Sequence, residues 1–116
     1  MNMKIKELYW MGQTAKDLNK LPKGIIESFV YGLRLAQQGG LSPRSKPLKG
    51  FGGVSVIELI ESDRAGTYRA VYAVKMKNFI YVLHIFQKKS KQGIATPKKD
   101  IDLIKSRLKQ AQEIDR

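Results

Sequence analysis

The sequence contains no cysteine, which excludes disulfides, thiol nucleophiles and cysteine-based metal sites. Its single histidine, His84, is too few for a familiar zinc site. No stretch approaches the roughly 18 apolar residues of a spanning helix, and the opening MNMKIKELYW lacks the continuous apolar run of a secretory leader. A cytoplasmic location with no membrane association is therefore expected. Glycine is present, but GGLSPRSKPLKGFGG has the spacing of neither a Walker-type nor a dinucleotide-binding loop. Acidic residues are scarce: Lys plus Arg outnumber Asp plus Glu by 22 to 10, a net charge of +12. An excess of that size points to a polyanionic partner, whether nucleic acid, an acidic protein or an anionic surface.

What is present suffices for a small core. The chain has 116 residues, 42% of them hydrophobic, and a single domain spanning residues 1–116 is the expectation. A short aromatic strand is predicted over Lys4 to Met11. Thr14 followed by Asp17 resembles a capping box and predicts a short helix ending near Leu21. Pro22 stands where a second helix begins, and Ile25, Ile26, Phe29, Val30, Leu33 and Ala36 recur at helical spacing until Gly39-Gly40 stops it. Residues 39–53 read as a loop carrying Arg44, Lys46 and Lys49. Val54 to Glu61, Thr67 to Lys75 and Phe79 to Phe86 read as strands, the last two joined by a tight turn at Lys77-Asn78. Thr96-Pro97 is expected to cap a final helix with Ile101, Ile104, Leu108 and Ala111 on one face. The order β-α-α-β-β-β-α, with strands joined by short turns, predicts an α+β fold with a mainly antiparallel sheet.

Period 2 assigns side chains to faces. Arg69, Val71 and Ala73 fall on one face of their strand, with Tyr68, Ala70, Tyr72 and Val74 on the other. On the partner strand the alternation groups Ile80, Val82, His84, Phe86 and Lys88. A turn near residue 77 sets Arg69 opposite residues 85–87, so that a guanidinium, an imidazole and one or two ammonium groups meet at one end of the sheet. Such a cluster suits metal-free phosphodiester chemistry. Arginine grips phosphate oxygens and stabilises a pentacoordinate transition state. A lysine among other cations is pushed toward neutrality, and an imidazole moves protons near neutral pH. Each feature also has a plain structural reading. Strand-end lysines protect a sheet edge, Arg69 pairs with Glu58 or Glu61, His84 sits satisfied in the rim of the core, and the tyrosines fill the core unless one stacks on a base.

The segments GTYRAVYAV, FIYVLHIFQKKS and TPKKDIDLIKSRL, in that order, resemble the RelE/HigB superfamily of bacterial type II toxins, in particular its HigB-like branch with phage-derived homologues. The likeness covers nearly the whole chain. KDLNKLP and the helix ending RLAQQGG resemble that family's opening helical hairpin, and KPLKGFGGVSVIEL its approach to the sheet. The resemblance implies a small α+β ribonuclease that cleaves mRNA in the ribosomal A site. The substrate's 2′-hydroxyl would be the nucleophile, leaving a cyclic phosphate and a free 5′-hydroxyl, with neither metal nor cofactor. Its implied partners are the ribosome, mRNA and a cognate helix-turn-helix antitoxin. By position, Arg69 matches the arginine on the scissile phosphate, and Lys88 or Lys89 the basic position after the last strand. His84 joins them as an acid-base candidate. Lys46 and Lys49 match the family's basic loop entering the sheet as RNA-binding residues, and Lys91 of the strand-end lysine cluster and Tyr72 as a stacking ring complete the RNA-binding candidates.

The sequence departs from RelE-type members in carrying Ile57-Glu58-Leu59 where those place lysines on the middle strand. Glu58 either accepts a proton itself or orients Arg69. No tyrosine follows FQKKS, so a stacking ring would have to come from Tyr68 or Tyr72. Two other readings stand beside the nuclease: a ParE-like gyrase inhibitor, and a non-catalytic nucleic-acid-binding module.

Overall fold

Five strands and three helices build the protein in the computed structural model, which describes residues 5–88 and 96–116. In chain order these are β1 (Glu7–Trp10), α1 (Thr14–Asn19), α2 (Lys23–Gln37), β2 (Ser45–Pro47), β3 (Val56–Asp63), β4 (Gly66–Ala73), β5 (Phe79–Lys88) and α3 (Lys98–Ile114). The sheet runs β1-β5-β4-β3-β2, antiparallel except for the outer β1–β5 pair. This is the α+β architecture expected from the strand pattern, and it is consistent with a RelE-like fold. The short strand β2 is an addition to that expectation, lying within the loop of residues 39–53.

Both faces of the sheet are covered. On one, Ile25, Phe29, Leu33 and Ala36 of α2 pack with Leu18 of α1 against Ile57, Leu59, Tyr68, Ala70, Tyr72, Ile80 and Val82. Each fully buried aliphatic or aromatic side chain contributes about 1.5–3 kcal/mol. Gly32 lets α2 sit close, because a Cβ there would lie 2.8 Å from both methyls of Leu59. A Schellman motif ends α2: the Gly40 amide donates to the Leu35 carbonyl and the Gly39 amide to that of Ala36, with Gly39 at φ +87°. On the other face, Ile104, Leu108 and Ala111 of α3 pack with Val56, Val71, Ala73, Tyr81 and Leu83.

The far end of α3 is fastened to the β4–β5 turn. The Asp115 carboxylate accepts from the Lys77 and Asn78 amides and from the Tyr81 hydroxyl, at 2.6, 2.8 and 2.8 Å. Burial opposes ionisation of Asp115, but those two amides, the hydroxyl and the Lys77 charge outweigh it and hold the carboxyl below its ordinary value. Burial and the bond to Asp115 push the Tyr81 phenol the other way, well above its ordinary value.

Two helix starts differ from the sequence expectation. Thr14 is the first helical residue of α1 rather than its cap, which is Gln13, and the Thr14 hydroxyl makes no capping bond. The turn at Gly12, with φ +55°, already commits the Thr14 amide to the Met11 carbonyl. In α3 the cap is Pro97, whose carbonyl accepts from the Asp100 and Ile101 amides, and the Thr96 hydroxyl is used elsewhere.

Candidate active site

The ladder register places three rows of side chains on the α3 face, at the end of the sheet where β4 begins and β5 finishes. Lys46, Glu58, Val71 and His84 lie side by side across β2, β3, β4 and β5. The next row is Ile60, Arg69 and Phe86, and the last is Ser62, Thr67 and Lys88. Arg69 thus stands opposite Phe86, within the window of residues 85–87 that the turn position predicts.

The grouping of His84 with Ile80 and Val82 does not hold. Val71 pairs with His84 but Tyr72 pairs with Val82, so Leu83 is an extra residue in β5. This β-bulge reverses the alternation. Ile80 and Val82 face α2, whereas Leu83, His84 and Phe86 face α3. Arg107 of α3 donates to the carbonyl of the bulged Leu83 at 2.8 Å. The bulge is thus what brings His84 onto the same face as Arg69 and Glu58.

A buried ion pair and a buried histidine–carboxylate hydrogen bond occupy this corner. Arg69 Nη1 donates to Glu58 Oε2 at 2.8 Å, with the two side chains 4% and 0% exposed. Glu58 Oε2 also accepts from Thr96 Oγ1 at 2.9 Å, and Lys46 Nζ lies 4.0 Å from Oε1. Lys46, with 47% of its side chain exposed, joins this carboxylate to the surface. His84 Nε2 lies 2.8 Å from Asp100 Oδ1, in the first turn of α3. Since a carboxylate only accepts, Nε2 carries the hydrogen. His84 Nδ1 then holds the ring's other exchangeable position, and it has no hydrogen-bond partner among the described residues. Phe86 stacks on the imidazole, with centroids 4.5 Å apart and planes at 16°, and fixes the ring's orientation.

The structure therefore brings together Arg69, His84 and Lys46, with the buried Lys88 one row beyond Arg69. Lys89 and Lys91 lie outside the described residues. One expectation is corrected. Tyr72 is 0% exposed, packed in the core under α2, so neither face of its ring is open to a base. Burial pushes its phenol up to about 12, and its hydroxyl has no hydrogen-bond partner among the described residues. Lys49 parts from Lys46: it is exposed beyond β2, beside a cleft at the opposite end of β3.

Sequence reasoning missed Thr96 and Asp100 as members of the site. Asp100 had a usable signal, because Asp100, Ile104, Leu108 and Ala111 form one buried stripe and the carboxylate occupies its first position. Thr96 looked like a cap. Among the described residues no group of three or more histidine, aspartate or glutamate side chains clusters as a metal would require.

A family profile described as Phage derived protein Gp49-like (DUF891) matches residues 16–109. The chain belongs to that family. Within it, the matched span contains Lys46, Glu58, Arg69, His84, Lys88, Thr96 and Asp100, so the whole described cluster falls inside the Gp49-like region. No curated protein matches the chain significantly, and no solved structure does. Among the described residues no helix is long and apolar enough to cross a membrane.

Proposed function

We propose that this Gp49-like protein is the toxin of a type II toxin-antitoxin system and acts as a ribosome-dependent mRNA endoribonuclease. The buried cluster of Arg69, Glu58, His84 and Asp100 carries this reading. Removing an ion from water costs several kcal/mol even after relaxation, and clusters that bear this cost concentrate at functional sites. The net charge of +12 supports a polyanionic substrate. The resemblance of GTYR and FQKKS to the RelE/HigB toxins supports RNA as that substrate.

In the proposed reaction Arg69 holds the scissile phosphate and stabilises its added charge, while Glu58 and Thr96 keep the guanidinium in place. His84, with Nε2–H given to Asp100, takes the 2′-hydroxyl proton on Nδ1, and Asp100 stabilises the imidazolium that forms. The 2′-oxygen bonds to phosphorus as the bond to the 5′-oxygen breaks. Lys88 supplies the proton to that leaving oxygen, and Lys46 adds positive potential at the surface. The products are a 2′,3′-cyclic phosphate and a 5′-hydroxyl. A helix-turn-helix antitoxin would restrain the activity in the cell.

The test is an in vitro translation reaction in which mRNA 5′ ends are mapped with and without ribosomes, for the native protein and Arg69→Ala. Ribosome-dependent cuts within codons, absent with a folded Arg69→Ala, are expected. Intact mRNA and unimpaired translation with the native protein would overturn the reading.

A further inference from the structure

At the other end of the sheet, between the end of α2, the β2–β3 connection and the β4–β5 turn, lies an open cleft of about 1200 Å³. It shares no lining residue with the Glu58–Arg69–His84 cluster. Its floor is apolar, formed by Phe51, Val56, Ile57 and Ile80. Ile5 and Leu41 on its walls are 59% and 58% exposed, leaving large apolar side chains facing water. Lys49, Lys75 and Lys77 line it and are exposed, and the acidic lining residue is Glu7. Lys6 also lines it, with its ammonium committed to the Met76 carbonyl.

We propose that this cleft receives an acidic, apolar-faced segment of a partner protein. Three observations choose that occupant. The volume exceeds the roughly 300–1,000 Å³ of ordinary small-molecule pockets and suits a peptide segment. The apolar floor offers nothing to a phosphate backbone, which needs cations and donors along its track. A second copy of this chain would bring its own +12 to a cationic rim, so like charges oppose self-association there. What fits is a helix with apolar residues at i, i+3, i+4 and i+7 on the floor and carboxylates reaching the lysines.

The probe is a fluorescein-labelled synthetic peptide of about fifteen residues, the length at which isolated helices become marginally stable, with leucines on one face and glutamates on the other. Its charge-reversed twin carries lysines for glutamates, and an oligouridylate is the RNA comparison. Fluorescence anisotropy with the full chain gives affinity, and amide chemical shifts give location. The acidic peptide is expected to bind and to move the amides of residues 39–41, 50–54 and 75–79, while the basic twin does not bind. Leu41→Asp and Lys75→Glu, both at exposed positions, are each expected to weaken binding about tenfold. No binding of the acidic peptide, a shift map centred elsewhere, oligouridylate taking the cleft instead, or these shifts arising from self-association would each overturn the proposal. Because Leu41 and Lys75 lie outside the cluster around Arg69, the outcome is independent of whether that cluster cleaves RNA.

Discussion

Replacing Arg69 with methionine leaves the Glu58 carboxylate buried, with the Thr96 hydroxyl and Lys46 at 4.0 Å as its remaining described partners. Breaking a buried ion pair on one side costs about 3–5 kcal/mol, because the surviving charge stays in a poorly polarisable interior. Glu58→Leu takes away the carboxylate that faces the buried guanidinium at 2.8 Å, a loss in the same direction. The double variant strands neither charge, and replacing a buried pair with apolar residues of similar size is often close to neutral. We therefore expect Arg69→Met to destabilise by about 3–5 kcal/mol, Glu58→Leu to destabilise as well, and the double variant to cost less than Arg69→Met alone. Typical domains have only about 5–15 kcal/mol in total, so such a loss is a large share of the margin. Urea titrations followed by far-ultraviolet circular dichroism, with unchanged slopes across the set, give the four free energies. Single costs below about 1 kcal/mol that simply add in the double variant would show a solvated surface pair and refute the reasoning.

Other predictions rest on separate parts of the molecule. The Asp115 carboxyl lies below its ordinary value in the folded state, so its contribution is present above about pH 4, the ordinary aspartate value, and is lost as pH falls through the folded value; the urea midpoint of Asp115→Asn should fall less over that acid range than that of the native protein. The Tyr72 phenol is raised to about 12, so its contribution is complete below the ordinary tyrosine value of about 10 and is lost as pH rises from there through about 12. Tyr72→Phe should flatten this alkaline loss, and near neutral pH it should leave stability unchanged or higher, since no partner for the hydroxyl is removed among the described residues. Gly32→Ala gains up to about 1 kcal/mol in helix propensity. Its Cβ, 2.8 Å from the Leu59 methyls, forces overpacking that costs about 1–3 kcal/mol, and thermal unfolding should show net destabilisation. On the proposed reaction, Asp100→Asn removes the negative charge that stabilises an imidazolium at His84 and lets an amide N–H face Nε2, so RNA cleavage should slow by roughly 10²–10⁴ while the fold persists.

The elements legible in the sequence were those with local signals. The periodic apolar stripe of α2 and the β-branched and aromatic runs of β4 and β5 fixed their type. The position of the turn fixed the placement of Arg69 across from Phe86. What escaped was set by contacts distant in the chain. Strand β2 has three residues, one of them Pro47, and exists because Lys46 pairs across from Glu58. The bulge at Leu83 breaks a run whose alternation looks unbroken, and it alone puts His84 on the site's face. Thr96 carries the local signature of a cap, yet its hydroxyl bonds to Glu58, 38 positions earlier. Lys46 and Lys49 look equivalent in a basic loop, and only the course of β2 sends one to the cluster and the other to the cleft.

The central claim is that Arg69 and His84 serve a reaction whose nucleophile is the substrate's own 2′-hydroxyl. The most direct measurement uses an mRNA bearing a single 2′-deoxynucleotide at a mapped cut site, in a translation reaction with the native protein. The account predicts that cleavage disappears at that nucleotide alone, while neighbouring sites still yield cyclic phosphate and 5′-hydroxyl ends. Cleavage that continues at the deoxy position would contradict it.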